Sequence, residues 1–307
     1  MDHQPEFTTI CTGLQFPEGP IAMADGSVIL VEIQRQTLTR ITPDGTRTTI
    51  AELPGGPNGA AIGPDGAVYV CNNGGFEFHQ KGGINHPGHK GAHYTGGSIQ
   101  RVDLSSGAVT TLYTECDGHP LRGPNDIVFD AQGGFYFTDL GKTTRDHIEH
   151  GAFYYARPDG SHINRVFGPM LTPNGIGLSP GGDTVYVAET RTGRVWGHDI
   201  VEPGVVQRPT GLMPGRLLTT LPDYQLLDSL AMQADGRVCV ATLIRGGISI
   251  VAEDHSVEYI QLPDDPYITN ICFGGPDMRD AWITGSGTGT LFHGRWPYAG
   301  LRLNFNG

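Results

Sequence analysis

Six short apolar runs of this chain open on an oxygen-bearing side chain in a shared register. They are Glu18 in PEGPI, Asn58 in PNGAAI, Asn125 in PNDIVF, Asn174 in PNGIGL, Asp228 in LDSLAM and Asn270 in TNICF. The spacings are 40, 67, 49, 54 and 42 residues. A unit repeated at this period cannot bury its apolar faces alone, so neighbours must stack on it. Closing six such units into a ring also gathers six equivalent side chains about one axis.

Between these positions the chain is rich in strand and turn signals. Turns read as ADGS, PDGT, PDGA, AQGG, SSGA, PDGS, PGGD and ADGR, and β-rich runs such as SVILVEI, AVYVCN, GFYFTDL and TVYVAET flank them. No long stretch has helical period. Each repeat reads as two hairpins, the first closing at the DG-type turn and the second following, as in TLTRITPDGTRTTIAEL. The expected fold is therefore all-β, a six-bladed β-propeller with four antiparallel strands per blade. The N-terminal run FTTICTG is expected to complete the last blade and close the ring, and TLFHGRWPYAGLRLNF to supply that blade's second hairpin. Residues 1–307 form one domain on this reading, without a linker. LMPGRLLTTLPDYQLLDSLAM, the most helix-like stretch, contains two prolines and is read as loop and strand.

Composition narrows the partners. The formal net charge of −12 argues against nucleic acid or an anionic membrane surface. No run approaches the ~18 apolar residues of a membrane helix. The start, MDHQPEFTTI, lacks the basic and apolar regions of a signal peptide. Cys11, Cys71, Cys116, Cys239 and Cys272 are odd in number and contain no CxxC, which fits a reducing cytoplasm and buried thiols rather than disulfides or a Cys-type zinc site. GSGTGT does not satisfy GxGxxG and opens no helix, and no GxSxG elbow is present. Oligomeric state is not readable.

Hairpin connectivity places the chemistry. If the inner strand of each blade runs away from the ring residue, the connection between its second and third strands returns to the ring's face. Three groups then share one mouth: the ring, the inter-blade segment CDGHPLRGPND with His119 and Arg122, and the long 72–97 segment with His79, His86, His89 and His93. That segment is expected to be a loop or lid. Its HxxHxxxH spacing could bind zinc, but no helix or matching carboxylate fixes the geometry, so contact of His86, His89 or His93 with substrate, or a solvated lid, is the preferred role. Glu, Asn and Asp side chains are hard oxygen donors, suited to Ca²⁺, Mg²⁺ or Mn²⁺. Asn and Asp also cap turns, but Glu18 is not a turn residue and marks the set as more than turn chemistry.

FPEGP, LRGPNDIVFD, LTPNGIGLSPGGDTVYVAET and LLDSLAM resemble the family of gluconolactonase, regucalcin and luciferin-regenerating enzyme, and more distantly paraoxonase and diisopropyl fluorophosphatase. The resemblance runs from about Glu6 to Arg295. It implies metal binding by Glu18, Asn125, Asn174 and Asp228, with Glu18, Asn174 and Asp228 as direct ligands in some members and Asn125 toward substrate. A substrate-binding Arg of the sugar lactonases lies two residues before that Asn, whereas Arg122 here lies three before. Asn58, Asn270 and Ser229 are expected to support the ligands.

The activity so implied is a metal-dependent hydrolase that opens a lactone. One divalent cation, Ca²⁺ foremost with Zn²⁺, Mn²⁺ or Mg²⁺ as alternatives, would polarise the ester carbonyl. Asp228 is the expected catalytic residue, as general base or as nucleophile. Arg122, Asn125, His119 and His93 would bind substrate. The alternatives are an arylesterase or organophosphate hydrolase using the same site, or a non-catalytic calcium-binding propeller.

Overall fold

The computed structural model describes residues 5–306, so the whole FTTICTG run lies within them and residues 1–4 and 307 outside. Among the described residues there is no helix, and so none long and apolar enough to cross a membrane. The chain is a six-bladed β-propeller of small antiparallel sheets. Its inner strands are Pro17–Ala22, Pro57–Ile62, Pro124–Phe129, Pro173–Leu178, Leu226–Met232 and Ile268–Gly274. Each packs against the next, and the last against the first, so the six enclose a central channel.

Blade one shows the pattern that the others vary. Pro17–Ala22 turns at Met23–Ser27 into Val28–Glu32, followed by Thr37–Ile41 and Arg47–Glu52. The turn forms because Asp25 Oδ1 accepts from the Ser27 amide and hydroxyl. Asp103, Asp159 and Asp254 repeat this device on turns between the third and fourth strands of blades two, three and five. Apolar residues facing both neighbouring blades bury completely, as with Ile29, Leu30 and Val31. The core is accordingly a set of clusters wedged between blades. All five cysteines are buried and unpaired.

Three segments differ from the sequence reading. The 72–97 segment is not a loop, since Phe76–Lys81 and Ile84–Lys90 pair as an antiparallel hairpin with His79 opposite His86. Blade four carries five strands, because Arg194–Glu202 is long enough to pair with both Val205–Val206 and Arg216–Thr220. In blade six only Thr290–Arg295 of the C-terminal run is a strand. The free edge of that strand is occupied by Phe7–Cys11, so the residues that follow have no edge left to join.

Those residues do something else. Leu301–Asn306 lie across the turn-side end of the channel, where Asn304 Nδ2 donates to Phe129 O at 2.9 Å and Phe305 meets Phe129 edge-on. Above them is a chamber of about 250 Å³ walled by Ile127, Ile176, Met232 and Phe273.

Candidate functional site

In every blade the pairing of inner and second strand slips at the ring residue. The irregularities fall between Glu18 and Ile21, Pro57 and Ala60, Pro124 and Ile127, Pro173 and Ile176, Leu227 and Leu230, and Ile268 and Asn270. A bulge re-aims one side chain out of strand alternation. The glycine that follows three ring residues has a packing reason. A Cβ on Gly19 would stand 2.7 Å from Asn58 O, and one on Gly175 would stand 2.7 Å from Asp228 O. Inner strands thus approach backbone to backbone, and the ring is narrow.

Behind four of the six ring residues stands an acceptor that the sequence reading missed. Glu32 Oε2 receives Gln15 N at 2.8 Å, Asn72 Oδ1 receives Gly56 N at 2.8 Å, and Glu189 Oε1 receives Leu171 N at 2.8 Å. Asp139 receives both Arg122 N and Gly123 N at 2.7 Å. Each sits at the end of its blade's second strand, opposite the proline that precedes the ring residue. Its signal was present as a constant offset: Glu32, Asn72 and Asp139 follow their ring residues by 14 positions and Glu189 by 15. These buried acceptors fix the backbone entering the inner strand and leave the ring side chain free for other work.

The ring itself is buried and short of hydrogen-bond donors. Glu18 Oε2 accepts from Asn270 Nδ2 at 2.7 Å and from Gly19 N at 2.6 Å, while Glu18 Oε1 has no partner. Asn174 Nδ2 donates to Thr190 Oγ1 at 3.2 Å, while Asn174 Oδ1 has none, and Asn125 Oδ1 has none either. Asn58 turns its amide to Asn125 O at 3.2 Å, and Asn270 Oδ1 accepts from Ile271 N at 2.8 Å. Ser229 is fully buried with its hydroxyl unpartnered. Asp228 keeps partial exposure. Leaving a buried acceptor unpaired costs about 1–3 kcal/mol, and three such oxygens stand on three inner strands of the ring.

Carboxylate repulsion adds to this deficit. Burial, then the Asp228 charge, raises the Glu18 pKa well above the ordinary carboxylate value. Burial and the Asp126 charge raise that of Asp228, against hydrogen bonds from Asn174 and the Ser229 amide. Asp126 was not singled out from the sequence, where it reads only as the neighbour of Asn125. Its side chain accepts from Ile127 N at 2.9 Å and Ile176 N at 3.2 Å, which ties blade three to blade four. Burial pushes its pKa up to about 7. Among the described residues, Glu18, Asp126 and Asp228 make no ion pair with Lys or Arg.

A hard cation fits this set: unpartnered carboxylate and amide oxygens, excess negative charge, and no soft donor. No group of three or more His, Cys, Asp or Glu poised for a metal occurs among the described residues, so a cation here would need amide oxygens as well as carboxylates. The same finding shows that His79, His86, His89 and His93 are not gathered for zinc. His86 Nδ1 instead meets Tyr267 Oη at 2.9 Å, and His93 is exposed. His119 is exposed on a two-residue strand opposite Cys116. The Arg122 guanidinium is half exposed and 3.5 Å from Glu149, while its backbone is held by Asp139 and, through O, by Tyr94 Oη.

Residues 16–287 match the model of the SMP-30/Gluconolactonase/LRE-like region. Lactonase drp35 of Staphylococcus saprophyticus is 30% identical over 238 residues, covering 74% of this chain and 66% of that protein. The chain thus spans just under two thirds of the length of the curated relatives it matches. A gluconolactonase of Xanthomonas campestris superposes with a TM-score of 0.74 at 20% identity, over 95% of this chain and 90% of that one. A calcium-binding protein, regucalcin, from Agrobacterium tumefaciens superposes with a TM-score of 0.71 at 17% identity, over 96% and 99%. At these identities the two structures speak to fold.

Proposed function

The chain belongs to the SMP-30/gluconolactonase/LRE-like family, and we propose that it is a metal-dependent lactonase working at the ring. The observation that carries this reading is that Glu18 Oε1, Asn125 Oδ1 and Asn174 Oδ1 are all buried and unpartnered, on inner strands of the same ring as Asp228. These four residues would hold one divalent cation, with Ca²⁺ favoured by the hardness of the donors. When bound, the cation supplies Lewis-acid polarisation of the ester carbonyl and acidifies water.

The chain's own residues divide the remaining work. Asn270 and the Gly19 amide occupy Glu18 Oε2, so Glu18 serves as a fixed ligand rather than an acid. Thr190 holds the Asn174 amide nitrogen, which keeps the oxygen available. Asp228, partly exposed, takes the proton of the attacking water at a carboxylate oxygen and returns it to the departing alkoxide. Asn125 orients the substrate carbonyl, and Arg122, His119 and His93 contribute polar contacts around it. The lactonase named above supports this substrate class. Five buried, unpaired thiols support a reducing compartment such as the cytoplasm.

Metal analysis with a pH-indicator screen of sugar lactones, alkyl lactones, aryl esters and phosphotriesters tests the reading, because ring opening releases a proton. Lactone opening that is lost with chelator and restored by Ca²⁺ is expected. Hydrolysis of aryl esters or phosphotriesters without lactone opening would move the function to the arylesterase alternative. Absence of any bound cation, with unfolding unaffected by chelator, would reduce the protein to a platform.

We also read Phe7–Cys11 as the strand that closes the ring and gives blade six its fourth strand. Deleting residues 1–11 bares the edge of Thr290–Arg295, and an exposed edge recruits other strands. A lower thermal midpoint and self-association are expected in scanning calorimetry and light scattering. An unchanged midpoint with a monodisperse sample removes the closing role.

A further inference from the structure

Lys142 is the one buried Lys or Arg among the described residues, with 2% of its surface exposed. An ammonium taken out of water needs several compensating contacts, and it has them. Nζ donates to Asn73 Oδ1 and to Gly75 O, each at 3.2 Å. It also lies 3.9 Å from the centroid of Phe76 and 5.3 Å from that of Tyr94. These partners come from one place: Asn73, Gly75 and Phe76 are the root where the 76–90 hairpin leaves blade two, and Tyr94 is on its return.

Lys142 itself belongs to blade three. It follows Asp139, which grips the Arg122 and Gly123 amides and, at 2.9 Å, the Gly141 amide. Tyr94 Oη closes the circuit by donating to Arg122 O at 2.6 Å. One buried amine therefore joins the hairpin root to the segment that carries Arg122 and leads into Asn125. Burial lowers its pKa to about 7, against the opposing charge of Asp139.

From that root the hairpin runs along the mouth-side rim. Lys90 N bonds Thr143 O of blade three at 2.9 Å. Phe78 packs on Phe16 of blade one, two residues before Glu18, with centroids 5.2 Å apart. Asn85 reaches Gln34 of blade one through its side chain and Gly287 O of blade six through its amide, and His86 reaches Tyr267 of blade six. The hairpin thus touches the rim of blades six, one and three while rooted in blade two. Among the described residues, blades four and five, which carry Asn174 and Asp228, make no hydrogen bond or ring contact with it.

We propose that Lys142 is a positioning residue that pins this hairpin and thereby sets which lactones reach the ring from the side of blades four and five. The proposal rests on the lactonase reading for its selectivity part only; the pinning part is measured without substrate. Lys142→Met keeps the length of the side chain and removes its charge and donors. Phe76→Leu is the second variant, because it deletes only the ring under the ammonium and sits at a half-exposed position that tolerates change.

Hydrogen exchange on the intact protein is the first readout. Amides of residues 76–90 are expected to exchange about tenfold faster or more in Lys142→Met, with inner-strand amides unchanged, and Phe76→Leu to shift the same way by less. Kinetics is the second: KM for the best lactone is expected to rise about tenfold with kcat within about twofold, and preference between compact and bulky lactones to flatten. Unchanged hairpin exchange in both variants overturns the pin, whatever the enzyme's substrate. Faster exchange with KM and preference unchanged overturns the selectivity role. If wild-type protein opens no lactone, the function reading fails on its own, while exchange still decides the pin.

Discussion

Asp228→Asn is expected to lower lactone turnover by roughly a hundred- to ten-thousandfold, the usual contribution of a positioned general base. The substitution is nearly isosteric and removes one of three carboxylates that burden each other, so the fold should tolerate it. Glu18, Asn125 and Asn174 still present their unpartnered oxygens, so most of the bound cation should be retained. Single-turnover and steady-state rates alongside metal content distinguish the two effects. Turnover within about tenfold of wild type, with metal retained, would exclude Asp228 from proton transfer. Loss of metal and activity together would make it a ligand first.

The second large effect concerns the metal-stripped protein. Burial holds the folded pKa of Asp126 at about 7 and raises those of Glu18 and Asp228, whereas in the unfolded chain these groups titrate near 4. Between those limits the folded state binds more protons than the unfolded one. Stability conferred by keeping these groups neutral is complete below about pH 4 and is lost as pH rises through about 7 for Asp126 and about 8 for Asp228. Chelated protein should therefore unfold more easily at pH 8 than at pH 5.5, other titrations being matched by an Asp126→Asn control. Adding Ca²⁺ should reverse the trend. At about a hundredfold excess over its dissociation constant it contributes about 2.7 kcal/mol. A chelated protein equally stable at both pH values, and indifferent to Ca²⁺, would contradict a cation at this ring.

The sequence carried the propeller because its strongest signals are local. DG turns with flanking β-branched runs mark hairpins wherever they occur, and the ring register repeats because each inner strand meets the same packing problem. The hairpin of residues 76–90 was hidden for the opposite reason. FEFHQKGGINHPGHK has little apolar alternation and places Pro87 and Gly88 inside a strand. Its two strands pair only with each other, and an edge position tolerates a proline that an interior strand would reject. Lys142 and Asp126 were invisible because burial, not residue type, makes them unusual. A lone lysine in LGKTT or an aspartate after asparagine has no periodic partner to betray it. The acceptors Glu32, Asn72, Asp139 and Glu189 lay between these cases, legible as an offset but only once strands had been aligned.

Those acceptors carry a consequence for how such a site changes over generations. At four of the six ring positions the backbone is anchored from behind by a different residue, so the side chain at the axis there bears little of the frame's weight. Four sockets of this kind form a valence set that mutation can sample one position at a time. Exchanging Asn125 for Asp, for example, would alter the charge offered to a cation at an oxygen that no hydrogen bond engages. A lineage with this architecture is free to drift between chemistries while its skeleton stays under constant selection.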